Sequence, residues 1–267
     1  MGLFLVLLGI YTGLSAYVVY FWQKKSTHAY PLTKEHCILG ITLVLQTVWV
    51  WQHLMHNQRL LLGFSSALNL ITWIMLIWYW FSSFFLKLQG LQLLLFPLTV
   101  ITLLISYFFP GTPIAYLHDN LPFLVHIVVS ILAYSLFGIA ALLALLLWRL
   151  SYDLHHRKNS TLIRFLPPLL SLEKIMFQMI WVGFALLTLS VLSGALFSEH
   201  VFGHPIKWSH KAVFGIISWL TYAALLFGRV KYHWRGKTAS RFVLIGFVFL
   251  MLAYMGSKFV LEFILHR

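Results

Sequence analysis

Two histidines, His126 and His210, fall just inside the same end of two different apolar runs. A neutral imidazole in such a place is costly to desolvate, and residues of this kind usually do chemistry. Two imidazoles on separate helices at equal depth, among aromatic and aliphatic side chains, are what a haem iron takes as axial ligands. The plainer reading is that both rings sit at a membrane interface and are merely hydrogen-bonded or hydrated. A tetrahedral metal site is less well furnished, because the one cysteine, Cys37, falls toward the opposite side and only Asp119 and Glu199 offer carboxylates nearby. Helical spacing continues the face of His126 through Ser130, Ala133 and Tyr134. Ser130 and Tyr134 are therefore candidates to orient the His126 ring. His210 follows Trp208 and Ser209, the latter a candidate N-cap, and its own face continues through Phe214, Ile217 and Thr221. Two earlier stripes, Gln46, Trp49 and His53, then Ser66, Asn69 and Trp73, carry further polar groups inward.

The elements that must hold these residues follow from composition. The chain has 267 residues, of which 61% are hydrophobic and 9% charged, with a mean hydropathy of +0.87. Repeated continuous apolar runs of about 18 residues or more identify a polytopic helical membrane protein and exclude the short alternating segments of a closed barrel. Windows between charged or breaking residues predict eight spans, at about 3–22, 36–54, 66–86, 91–108, 121–148, 174–197, 209–228 and 241–264. The expected fold is thus all-α, one integral membrane domain over residues 1–267. The first span has no basic leader segment or cleavage signal and reads as a retained helix. No charged side chain stands between Asp119 and Arg149, so the fifth span exceeds the hydrocarbon thickness and should tilt or project.

Basic residues set the expected orientation. Alternate connections carry 14 of the 19 lysines and arginines, from Lys24 and Lys25 to the run Arg229, Lys231, Arg235, Lys237 and Arg241; the other side has Arg59, Lys207, Lys211, Lys258 and Arg267. The positive-inside rule then puts both termini on the outer, periplasmic side, together with His53, His126 and His210. The basic balance is a matter of topology and lipid, and no nucleic-acid partner is needed to explain it. The 229–241 segment reads as a topology signal resting on anionic lipid. His155 and His156 fall in a basic inner loop and read as solvated. Gly183, Ser190, Ser193 and Gly194 in the sixth span read as small residues that let helices approach closely. A single cysteine rules out an intrachain disulfide or a paired-cysteine redox motif.

Several blocks carry a resemblance: Leu121-Pro-Phe-Leu-Val-His126-Ile-Val-Val-Ser130 with Tyr134, Ser171-Leu-Glu-Lys174, Trp208-Ser-His-Lys211, Trp234-Arg-Gly236 and Tyr254-Met-Gly-Ser257. In this order and spacing the chain resembles the cytochrome c assembly family, CcsA-like, and within it the small eight-span inner-membrane branch of YpjD or HemX-like proteins. The resemblance implies a multi-pass protein of the bacterial inner membrane that handles haem, with His126 and His210 matching family histidines. It also implies haem b as the cofactor, and membrane lipids and a haem-handling or cytochrome biogenesis protein as partners. The chain departs from the pattern in two ways. The tryptophan-rich WWD motif of members that deliver haem is absent, since the 198–210 stretch offers only Trp208, which leaves synthase or haem-lyase activity without its motif. Branch members place a histidine in span two where this chain has Gln46, with His53 two turns later.

Three functions remain. The first is a haem-binding protein of haem handling or cytochrome c biogenesis. The second is a non-catalytic accessory or regulatory protein acting on a haem-synthesis enzyme or another membrane protein. The third, a transporter, is opposed by the acidic residues, all of which fall at span ends or in loops. No nucleophile, carboxylate pair or phosphate loop suggests an enzymatic reaction.

Overall fold

The computed structural model describes residues 2–23, 31–56, 59–86, 88, 90–109, 114–116, 121–156, 167–202 and 210–256. Eight helices lie among them, one in each apolar window: α1 (Gly2–Gln23), α2 (Leu32–Leu54), α3 (Phe64–Ser82), α4 (Gln92–Phe108), α5 (Leu121–His155), α6 (Leu169–Phe202), α7 (His210–Tyr232) and α8 (Gly236–Met251). A π-helical turn, Leu252–Gly256, extends α8. Six of these, α1, α3, α5, α6, α7 and α8 with its π turn, are long and apolar enough to cross a membrane. The remaining two are α2 and α4, the latter with 17 residues. Three strands of two to four residues interrupt the helical backbone and form one sheet in the order β1-β2-β3; β1 (Met55–His56) and β2 (Arg59–Leu62) pair antiparallel, and β3 is Ile114–Tyr116.

Helix ends differ from the apolar windows where charge was taken as a boundary. α6 begins at Leu169, directly after the breaking pair Pro167–Pro168, and not at 174; it also runs to Phe202, into the stretch expected to be loop. No glycine or proline occurs between Ala195 and Phe202 to stop it. α8 begins at Gly236, five residues before the expected start at 241, and takes in Lys237 and Arg241. α5 has 35 residues, about 52 Å at the usual helical rise, which exceeds the roughly 30 Å hydrocarbon thickness.

The chain divides into two compact units, the first comprising Met1–Ile114 and Arg149–Leu172 and the second Ala115–Trp148 and Glu173–Arg267. In the first unit α1 packs on α2 and α4, and α3 packs on the same two helices, so the four close a ring. Its outside is apolar, with Leu5, Ile41, Val44 and Ile101 exposed, while Gln46, Asn69, Thr72, Thr99 and Thr102 are buried within. A soluble bundle has the reverse pattern; lipid as solvent favours this one. The polar groups pair across helices: Tyr11 donates to the Gln46 carbonyl, Asn69 Nδ2 donates to the Thr102 carbonyl at 3.2 Å, and the Thr72 and Thr102 hydroxyls meet at 3.2 Å. Gln46, Trp49 and Asn69 of the inward stripes are therefore core, and Trp73 beside them is half-buried.

In the second unit α5 and α6 run antiparallel, with His126 beside Ser193, Ser130 beside Ser190 and Phe137 beside Gly183. The Phe137 ring stacks on Tyr222 of α7 at 3.9 Å, and Trp219 of α7 donates its indole N–H to Thr188 of α6 at 2.9 Å. α7 and α8 form a tight hairpin, tied by Ser218 Oγ donating to the Gly246 carbonyl at 2.9 Å. The connection is only 233–235, with His233 in the left-handed region at φ 55°.

Candidate functional site

His126 sits in the second turn of α5, half-buried against α6. Four hydrogen bonds, two within these helices and two between them, hold its ring. Ser130 Oγ donates to the His126 carbonyl at 2.6 Å, a bond of the i to i−4 kind that Ser makes readily in a helix. Its single hydrogen being used there, Ser130 accepts from the Ser190 hydroxyl at 2.7 Å. Ser193 Oγ donates to the Ser190 carbonyl at 3.0 Å. The Ser193 oxygen can then only accept, and it lies 2.8 Å from His126 Nδ1. With that hydrogen on the Ser190 carbonyl, Nδ1 carries the ring hydrogen and the lone pair falls on Nε2. This is the tautomer an imidazole needs to ligate a metal through Nε2.

Gly194 completes the setting. A Cβ at this position would stand 3.3 Å from His126 Cε1, tighter than ordinary contact, so the imidazole lies flush on the α6 backbone. The close approach expected of Gly183, Ser190, Ser193 and Gly194 is thus present, with Phe137 against Gly183 at 3.3 Å by the same measure. The serines do more than permit the contact, since they hold the ring.

The other expected residues are placed as follows. Tyr134 lies two turns along α5 from His126, and its ring meets the edge of Tyr254 in the π turn at 6.4 Å. His210 is the first residue of α7 and is exposed; Trp208 and Ser209 lie outside the described residues. His53 falls within α2, but its side chain lies outside the described residues, as do Asp119 and the side chain of Glu199. Gln46 is fully buried and accepts from Tyr11. His155 and His156 are exposed, with His156 Nδ1 turned to the Tyr152 carbonyl at 2.9 Å. Among the described residues no three His, Cys, Asp or Glu side chains gather as a metal site.

Charges are less solvated than the sequence suggested. Glu35, Asp153 and Glu173 do lie near helix ends, yet each is buried. Glu173 accepts from Arg229 Nη1 at 2.7 Å, from Arg235 Nε at 3.1 Å and from the Gly236 backbone N–H at 3.3 Å. Part of the basic segment read as a lipid-facing topology signal is therefore committed to an internal ion cluster joining α6, α7 and α8. Glu173 carried no sequence signal of this, because its partners lie 56 and 62 residues away.

Among known proteins, residues 36–265 match the family described as Cytochrome C assembly protein. The chain is 34% identical over 171 residues to Inner membrane protein YpjD of Escherichia coli (strain K12), covering 64% of each chain. An uncharacterized 28.8 kDa protein from Azospirillum brasilense is 30% identical over 140 residues, 52% of each. Cytochrome c biogenesis protein CcsA of Thermosynechococcus vestitus is 34% identical over 86 residues, 32% of this chain and 27% of that one. The aligned part of the chain thus spans just under two thirds of the Escherichia coli relative and about a quarter of the cyanobacterial one.

Proposed function

The chain belongs to the cytochrome c assembly protein family, and from that premise we propose that it is a multi-pass protein of the bacterial inner membrane that binds one b-type haem through His126 and His210 and serves haem handling or cytochrome c biogenesis. The observation that carries the reading is the serine circuit that leaves the Nε2 lone pair of His126 available. His210, exposed at the start of α7 in the same unit, supplies the second imidazole. Together they form the donor set of a six-coordinate, low-spin iron. Bound haem would supply a centre that takes up or releases one electron. The chain's own part is to orient the first ligand through Ser193 and Ser130, with the Tyr134 and Tyr254 rings farther along α5. His53 is the further imidazole to test, because it lies two turns from the span-two position held by Gln46. Partners in this reading are membrane lipids and a haem-handling or biogenesis protein.

The absorption spectrum of the purified full chain tests the proposal. His126→Ala and His210→Ala are each expected to lose most of the bound haem or its low-spin signature, whereas His155→Ala keeps both. A colourless protein after expression with ample haem would instead favour an accessory protein that regulates a haem-synthesis enzyme or another membrane protein.

A further inference from the structure

Where α2 begins and α3 ends, the first unit holds a cavity of about 200 Å³ walled by Leu32, Tyr79, Ser83, Phe84, Phe85 and Leu88. Among the described residues its side-chain walls are aromatic and aliphatic apart from two hydroxyls. Behind each hydroxyl stands a group able to exchange a proton. Tyr79, 1% exposed, donates to Glu35 Oε1 at 2.6 Å, and Glu35 is itself only 4% exposed. Four residues on, at the C-cap of α3, Ser83 Oγ lies 2.5 Å from His36 Nε2, with the imidazole 4.8 Å from the Phe84 ring.

Counting hydrogens shows what these walls can do. His36 Nδ1 faces the Leu32 carbonyl at 2.7 Å, and a carbonyl only accepts, so Nδ1 carries a hydrogen. Ser83 has one hydrogen and two places for it, the Trp80 carbonyl at 2.7 Å and His36 Nε2. A proton gained or lost at Nε2 is therefore accommodated by turning one hydroxyl, with no heavy atom moved. The Tyr79 hydrogen has a similar choice between Glu35 and Gln92 Oε1, the latter 3.3 Å away and held by the Gly90 N–H at 2.8 Å.

A ligand matched to this place is neutral and flat, with two oxygens that each give or take a proton. An anionic headgroup would meet the buried Glu35 carboxylate, and an ammonium would need that carboxylate in the wall, where Tyr79 stands instead. The volume is below the roughly 300–1,000 Å³ of pockets for drug-sized ligands, which suits one substituted ring and excludes a tetrapyrrole. Phe84 and Phe85, 56% and 76% exposed, form an aromatic rim of the kind that sits at a membrane interface, where an apolar tail can leave toward lipid. We propose that this cavity binds the ring of a lipid-carried quinone or quinol, with Tyr79 and Ser83 at its oxygens and Glu35 and His36 as their proton partners.

The proposal does not depend on haem. A photoreactive azidoquinone, added to the purified full chain and mapped by peptide mass spectrometry, is expected to label the peptides carrying Leu32 or Phe84, with protection by excess decylubiquinone. Ser83→Ala, at the rim, should weaken that protection about tenfold, the loss of one hydrogen bond of ordinary strength. Leu32→Trp, which fills the cavity and leaves both proton paths in place, should abolish it. Label that decylubiquinone does not displace, or protection that survives both substitutions unchanged, would overturn the proposal.

Discussion

At the scale of single residues, the weight falls on a serine that spacing alone did not single out. Ser130 was legible because it stands four residues from His126 on one helix, and the regular period of a helix makes such neighbours predictable. Ser193 is 67 residues from His126, and only the antiparallel register of α5 and α6 brings them together. Removing its hydroxyl takes the side-chain partner from Nδ1, so Ser193→Ala should weaken haem retention by about 1 kcal/mol, roughly fivefold. Ser193→Thr, which restores the hydroxyl, should recover most of the loss; haem stoichiometry and the iron midpoint potential read both. Gly194→Val should act more severely than Ser193→Ala, since even one Cβ comes within 3.3 Å of the imidazole and a branched side chain must displace it. Equal haem content in these two variants would show that ring placement does not matter.

At the scale of elements, every apolar window became a helix, because a run long enough to span lipid has few other ways to satisfy its backbone. Boundaries were less legible. The windows stopped at Lys174 and Arg241, whereas the helices continue through their neighbours, since a charge ends an apolar run without ending a helix. The Glu173 cluster is one place where the difference matters, joining α6 to both arms of the α7–α8 hairpin. Glu173→Ala should lower the thermal midpoint of the purified protein, leaving Arg229 without its carboxylate. Arg235→Ala should lower it less, because that side chain is 53% exposed and water replaces its partner cheaply. The hairpin also depends on Gly228, where any Cβ would meet the Trp234 ring at 2.3 Å, so Gly228→Ala should cost about 1–3 kcal/mol in the same melting experiment. A Gly228→Ala protein that melts with the wild type would mean that Trp234 does not pack there.

At the scale of the whole molecule, the partition of 14 basic residues against five predicts eight crossings with both termini outside. Cys37 is exposed, so the labelling background must first be Cys37→Ser. In that background Asn159→Cys should react only after the inner face is opened, and Gly203→Cys should react in intact cells; the opposite pattern would place His126 and His210 at the inner face. The pairing of polar groups in the first unit bears on how such a chain is made. Tyr11 on α1 finds its acceptor on α2, and Asn69 and Thr72 on α3 find theirs on α4. His126 on α5 likewise finds Ser193 on α6. During synthesis each of these buried polar groups waits for one further helix and no more, so the chain can leave the translocation machinery two helices at a time without stranding these groups in lipid. Glu173 is the exception, since its arginines arrive at the end of α7 and beyond, and until then its charge must stay at a helix end within reach of water.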